Sequence, residues 1–581
     1  MRLRVAADSA FGQGRAGWVW SCLNPTQNQV FKWLTHFKAG LIICGLGALL
    51  STLNFYVFLR IWRSILSVAG VMSSLQSLFV TARQRVSGRP YLWVFIVLLL
   101  WTLIVRLPFL HVIHDDEAFY SVVASRWLNG EPPYIASYDI KAPGIFAILA
   151  GFQVLFGAHL IVIKAVEMLT TLWGAFGLFR LVAHASSRRL ALLVAALYPL
   201  YSLFLMGVSS PTQLIEAAFT IEAFAQIGRV EGEVYRKHLI ALALAALMMG
   251  GAVMVKQTAA FTALGLFGWV AWHSWRQRDF KSLALFCVMG AVPTIAFGLY
   301  FAAIGHFRDA FDTVVLTALD RSQVDMSEKP DTLHLGFLLR LWHFPAFYKP
   351  MLVITVGALL AVMRLPRLKT ALSSSFIHLI IIWYVTAVAG ILVNQSLVIW
   401  YGFTLVPPTL ILFCAVLYHG IGFKAQWRVI GIGLYLLAAV IQPFVVEGYT
   451  LFNPGPFGPP DYRGNVRAAE SLKANGLKPG DNLLVTGRGH YVYLMAGALP
   501  KAKYFNAMHL MCTFPTPDKD PLAVAFSTQP DFLVVSDRGF FMGCRLPERE
   551  AAITDELARH YRAVSRVSGD WDNFTIYRRK P

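Results

Sequence analysis

The chain has 581 residues, 56% of them hydrophobic and only 14% charged, with a mean hydropathy of +0.56. Soluble domains carry about 25% charged residues, so there are too few polar side chains to cover a water-soluble globule, and disorder, a collagen-like fibre and a small disulfide scaffold are excluded too. The net charge of +19 gathers as Lys and Arg in short loops between apolar stretches, which marks cytoplasmic loops rather than a nucleic-acid partner.

Those apolar stretches, several of about 18 or more residues, define a polytopic α-helical membrane protein. Residues 1–90 read as an N-terminal extension with one or two membrane-associated helices, at 41–59 and 64–80, separated by Arg60 and Arg63. An extra hairpin, an interfacial helix and an extension from a misplaced start codon all fit. The apolar run starts about 40 residues in, too late for a cleaved signal peptide. A span at 91–110 follows Arg83, Arg85 and Arg89, so its start is cytoplasmic and residues from His111 are outside.

Two apolar stretches, 145–156 and 160–182, precede Arg188-Arg189. Were both to cross, that basic pair would be outside. The first is also short for a span. Residues 143–157 are therefore expected as a helix on the outer membrane surface and 160–182 as the second span. Spans at 190–207, 212–228, 239–255, 258–274, 282–304, 350–363, 374–394, 399–418 and 428–446 alternate without conflict and keep almost every basic short loop on one side. The transmembrane domain thus occupies 91–446 with about 11 to 13 helices in the chain. Its main outer loops are 111–158 and 305–349.

Residues 447–581 become polar after a Pro/Gly linker at 452–460. Helix-like segments at 465–475 and 548–562 alternate with strand-like runs at 482–486, 531–536 and 574–577, the pattern of a small α/β domain on the outer side. Gly487-Arg488-Gly489-His490 after the first strand reads as a plain turn more readily than as a phosphate loop. Cys512 and Cys544 share this oxidising side, where a disulfide is an even choice. No C-x-x-C or H-x-x-x-H metal spacing occurs.

The first outer loop holds the densest chemistry. Asp115, Asp116 and Glu117 are three consecutive carboxylates just past a span. Packed like charges can raise one pKa, as a general base working near neutral pH requires; equally, Asp115 or Asp116 could cap a helix. Arg106, Lys164, Glu167, Glu216 and Lys256 map near the same outer edge. Lys164 and Glu167, three apart on a helix, can pair with each other. Lys256 has no local partner and either snorkels or holds an anion, and Glu222 lies deeper without an evident partner.

These residues resemble the membrane-embedded glycosyltransferases of the GT-C fold, in particular bacterial relatives of the protein O-mannosyltransferases and the lipid A aminoarabinose or galacturonic acid transferases. That family's first outer loop carries Asp-Glu-x-x-Tyr, Gly-x-x-x-Tyr and Lys-Pro-Pro. Here stand Asp116-Glu117-Ala118-Phe119-Tyr120, Gly130 to Tyr134, and Lys141-Ala142-Pro143. Gly251 to Gln257 and Trp400-Tyr401 to Pro407-Pro408 resemble two later motifs. Ala142 replaces a proline, and Trp400 stands where a histidine is frequent. The resemblance covers about 91–450.

It implies an inverting transfer from a polyprenyl-phosphate sugar, the lipid-linked donor, on the outer (periplasmic) face of a bacterial inner membrane. Asp116 would be the base, assisted by Glu117. Lys141, Lys256 and Lys164 would be candidates for the leaving phosphate. Asp115, Tyr120, Asp139, Glu216 and Tyr401 would contact substrates. Clustered carboxylates could bind a divalent cation. The acceptor would be lipid A, a glycan, a lipid or a protein. A glycan-chain ligase using a polyprenyl pyrophosphate and a lipid or solute transporter are the competing readings; the latter is disfavoured by the lack of an internal repeat.

Overall fold

A computed structural model describes residues 90–110, 112, 115–203, 211–230, 233–323, 356–357, 360, 372–393, 399–420, 461–511, 516–537 and 547–581. The described residues from Leu92 to Pro581 belong to one compact unit. The expected helices at 41–59 and 64–80 lie outside the described residues, as do the linker at 452–460 and both Cys512 and Cys544.

Helix α1 (Pro90–Arg106) opens on a proline, whose missing N–H costs nothing in a first turn. Helix α2 (Asp115–Leu128) begins with its three acids, favoured at the positive end of a helix. Helix α3 (Gly144–Phe156) is stopped by Gly157 at φ +80°. It coincides with the helix expected at 143–157. There follow α4 (Leu160–Ala185), α5 (Arg188–Tyr201), α6 (Pro211–Arg229), α7 (Leu239–Val255), α8 (Ala259–Arg276), α9 (Phe280–Ala303) and α10 (Ser374–Val393). A 3-10 segment, Ile399–Leu405, leads into α11 (Val406–Ala415). Ser187 caps α5 by accepting the Leu190 N–H at 3.3 Å, and Asp279 caps α9 by accepting the Ser282 N–H at 3.3 Å.

Nine of the eleven expected spans coincide with described helical segments; most of 350–363 and all of 428–446 lie outside the described residues. Among the described residues, five helical segments are long and apolar enough to cross a membrane: Tyr91–Phe109, Leu160–Ala185, Phe280–Ala303, Ser374–Val393 and Tyr401–His419. The helices share a core that includes Leu178, Tyr198, Phe224, Leu242, Trp383 and Leu410. Small residues allow close backbone approach, as in other helical membrane proteins. A Cβ on Gly250 would lie 2.2 Å from the Gly290 carbonyl oxygen, so α7 and α9 meet there without room for a side chain. Glu222 is not isolated, contrary to its lack of a partner in the sequence reading. Arg180 pairs with it, and it accepts from Trp173 Nε1 at 3.2 Å and Gln226 Nε2 at 2.6 Å.

The C-terminal part contains α12 (Tyr462–Ala474), β1 (Leu483–Val485), α13 (Tyr491–Ala496), β2 (Phe532–Ser536), α14 (Pro547–His560), β3 (Tyr561–Ser568) and β4 (Asn573–Arg579). The sheet order is β1-β2-β4-β3, with β1 parallel to β2 and the other pairs antiparallel. Strand β3 was not anticipated. Its pairing with β4 turns the expected end of a helix into an edge strand. The sheet does not pack alone. Phe119, Tyr120, Tyr134 and Tyr138 of the 115–144 region share one core with Tyr493, Tyr504, Phe505, Val534 and Phe574.

Candidate active site

Consecutive residues on a helix point about 100° apart, and the first turn of α2 uses this to give three adjacent carboxylates three surroundings. Glu117 faces inward and is fully buried, 3.5 Å from Lys164 Nζ. Lys164 also pairs with Glu167 at 2.8 Å, and Arg106 lies 3.7 Å from Glu167. Arg106 donates to Ser202 Oγ at 2.7 Å. Glu117, Lys164, Glu167 and Arg106 thus form one buried chain of alternating charge. The expected Lys164–Glu167 pair is present, and Glu117 joins it from another helix.

Asp115 faces the C-terminal domain. Its Oδ2 is 2.8 Å from His490 Nδ1, and its Oδ1 accepts the His490 backbone N–H at 3.1 Å. Burial pushes the Asp115 carboxyl up, but the His490 charge and hydrogen bonds, with Arg488, hold it below its ordinary value. Like-charge crowding was expected to raise one carboxyl of this cluster; at Asp115 the neighbouring cations reverse the direction. Asp116 alone of the three is only partly buried. It lies in the field of Arg488 and His490.

A second set of charges assembles beside α7. Lys256 caps the C-terminal end of that helix, with Nζ 4.5 Å from the centre of the Tyr401 ring, a cation–π distance. Glu216 of α6 attracts Lys256, and Lys141 is close enough to repel it. Glu216, Lys256, Thr258, Thr262, Gly390, Tyr401 and Thr404 line a narrow cavity of about 10 Å³, room for roughly one water. The Glu216 Oε2 atom has no hydrogen-bond partner among the described residues.

What brings Lys141 here is explicit in the backbone. Gln257, next to Lys256, donates through Nε2 to the Ile140 carbonyl at 2.6 Å and the Val314 carbonyl at 3.3 Å. Gly144 seats α3 on the end of α7, where a Cβ would lie 2.4 Å from the Met254 carbonyl oxygen. Asp139 Oδ1 accepts the Lys141 N–H at 2.9 Å, so that carboxylate shapes the turn. Tyr134 holds a left-handed φ of +71°, costly for a bulky residue. Its hydroxyl donates to the Lys141 carbonyl at 2.7 Å and its buried ring meets Phe301. Tyr120 is buried between Phe119 and Phe146, with ring centroids 5.9 Å and 5.8 Å away.

Sequence reasoning did not single out Arg488 and His490 as site residues. Their signal was two basic residues interleaved with glycines directly after a strand. Both glycines are required. A Cβ on Gly487 would lie 2.3 Å from the Ser536 Cβ, and one on Gly489 would lie 2.9 Å from Asn465 Oδ1. Arg126 was also passed over. It donates to the Ala502 carbonyl at 2.6 Å and pairs with Glu131 at 2.6 Å. Among the described residues, no group of three or more His, Cys, Asp or Glu side chains is arranged to hold a metal ion.

No protein-family model and no curated protein sequence matches the chain. Solved structures do. ArnT from Cupriavidus metallidurans bound to undecaprenyl phosphate superposes with a TM-score of 0.54 at 14% identity, covering 84% of this chain and 97% of that one. The same protein in the apo state gives 0.50 at 15% identity, with the same coverage. The archaeal oligosaccharyltransferase AglB from Archaeoglobus fulgidus, in complex with an inhibitory peptide and a dolichol-phosphate, gives 0.45 at 13% identity over 78% of this chain and 70% of that one. The chain has the GT-C fold, and the fold assignment rests on the two ArnT structures.

Proposed function

We propose that the chain is an inverting glycosyltransferase that moves a sugar from a polyprenyl-phosphate donor to a hydroxyl acceptor at the outer face of a bacterial cytoplasmic membrane. The observation that carries this reading is the docking of the Lys141 loop onto the end of α7, which brings Lys141 into the field of Lys256, itself lining a narrow cavity with Glu216 and Tyr401. Two ammonium groups held together in a partly desolvated place favour a phosphate. The undecaprenyl phosphate bound to ArnT supports the same ligand chemistry here.

In the proposed reaction Asp116 accepts the proton of the acceptor hydroxyl. The acceptor oxygen forms a bond to the anomeric carbon as the bond from that carbon to the phosphate oxygen breaks. The bonding pair leaves on the phosphate, whose added negative charge Lys141 and Lys256 stabilise. Glu117 and Lys164 fix the helix from below. Asp139 and Tyr134 shape the loop that presents Lys141. Glu216 balances Lys256 before the donor arrives.

The test is direct. Purified protein in nanodiscs, supplied with labelled polyprenyl-phosphate sugars and an extract of envelope glycolipids and proteins, is expected to release polyprenyl phosphate and label an acceptor. In liposomes, labelled lipid that crosses the bilayer intact, with no sugar transferred, would favour a transporter instead.

A further inference from the structure

The contact between Asp115 and His490 joins two segments 375 residues apart. The His490 ring is buried, with Phe119 at 5.2 Å, Phe505 at 6.1 Å and Tyr493 at 6.3 Å between ring centroids. Nδ1 faces the Asp115 carboxylate at 2.8 Å, and Nε2 faces the Phe505 carbonyl oxygen at 3.2 Å. A neutral imidazole has only one N–H. A carboxylate beside one ring nitrogen and a carbonyl oxygen beside the other favour the doubly protonated ring through their charge. Its backbone N–H adds a further hold on the same carboxylate. The glycines on either side of Arg488 press the turn against Ser536 and Asn465, so the turn has little room to shift.

We propose that His490, supported by Arg488, is a positioning residue: by clamping Asp115 it fixes the first turn of α2 and hence the direction of the adjacent Asp116 carboxylate, which makes the C-terminal domain a working part of the transferase centre. The inference rests on Asp116 being the base. Asp115 is then an anchor rather than a substrate ligand.

The titratable groups that face His490 are Asp115 and Asp116 from α2 and Tyr493 from α13, and Arg488 of its own turn acts on the same two carboxylates. Burial lowers the His490 value, but the Asp115 charge and hydrogen bond raise it further, leaving it above the ordinary 6.5. The clamp is thus fully present below that ordinary value and is lost as pH rises through the raised one.

The test uses the full chain in nanodiscs and reads two things. The first is amide hydrogen exchange of residues 115–128, which needs no substrate. His490→Gln is expected to speed exchange there at least about tenfold, and Asp115→Asn with His490→Gln is expected to add little to either single change. In the wild type, exchange corrected for its intrinsic pH dependence should accelerate as pH rises above 6.5. The second is transfer: kcat of His490→Gln should fall about tenfold or more with donor KM changed less than about twofold. Unchanged exchange in the variant, a flat pH series, or losses that multiply in the double variant would overturn the clamp. Should His490→Gln fail to fold, the wild-type pH series decides alone. Full transfer by Asp116→Asn would instead remove the base, leaving the exchange result to judge the clamp separately.

Discussion

Adjacent side chains of one type need not share a role, and residues 115–117 separate because each has different surroundings: a histidine of the C-terminal domain, a half-buried place in the field of Arg488 and His490, and a lysine of α4. The two buried lysines differ in the same way. Lys164 lies between Glu117 and Glu167. Removing one partner of a buried ion pair costs about 3–5 kcal/mol, so Lys164→Met is expected to lower the thermal unfolding temperature sharply. Lys256 rests on an aromatic ring beside a narrow cavity. Lys256→Ala is expected to cost less stability than Lys164→Met, because it strands one carboxylate (Glu216) rather than two, and to weaken polyprenyl-phosphate binding about 10- to 100-fold, the worth of one charge-assisted contact. Thermal scans paired with lipid-binding titrations check both, and equal behaviour of the two variants would contradict the division.

At the scale of elements, the fit of α3 onto α7 decides whether Lys141 and Lys256 act together. Gly144 meets the Met254 carbonyl, whereas Gly151, two turns along the same helix, has open space around it. Gly144→Ala is therefore expected to destabilise the protein and weaken donor binding. Gly151→Ala should be neutral or stabilise by up to about 1 kcal/mol, since alanine is the better helix former. Unfolding curves for the two variants would test this, and indistinguishable curves would contradict it. The membrane helices were legible in the sequence because apolar length and flanking charge are local signals. The Lys164–Glu167 pair was legible because it lies within one helical turn. The Glu222–Arg180 pair, 42 residues apart, and the Asp115–His490 pair, 375 apart, were not, since nothing local encodes them. Strand β3 escaped for another reason: it is an edge strand rich in exposed polar residues and follows α14 without a break.

At the scale of the molecule, the 115–144 segment and the C-terminal domain are joined through a common core rather than a tether. Tyr138 donates its backbone N–H to the Lys503 carbonyl at 3.0 Å, Arg126 reaches the Ala502 carbonyl, and Phe119 packs on Phe505 at 4.8 Å. Truncating a large buried aromatic costs about 3–5 kcal/mol. Phe119→Ala is therefore expected to loosen residues 115–144 and 487–511 together, as a shared loss of hydrogen-exchange protection. Loosening confined to one side would show two independent bodies. In the proposed reaction this assembly serves one carboxylate, that of Asp116. The measurement that tests it most directly compares sugar transfer from a polyprenyl-phosphate donor by the wild type and by Asp116→Asn, with donor binding followed in the same preparation. Donor binding is expected within about twofold of the wild type and transfer reduced by a factor of about 10²–10⁴, the contribution of a general base. Transfer at the wild-type rate by Asp116→Asn would contradict it.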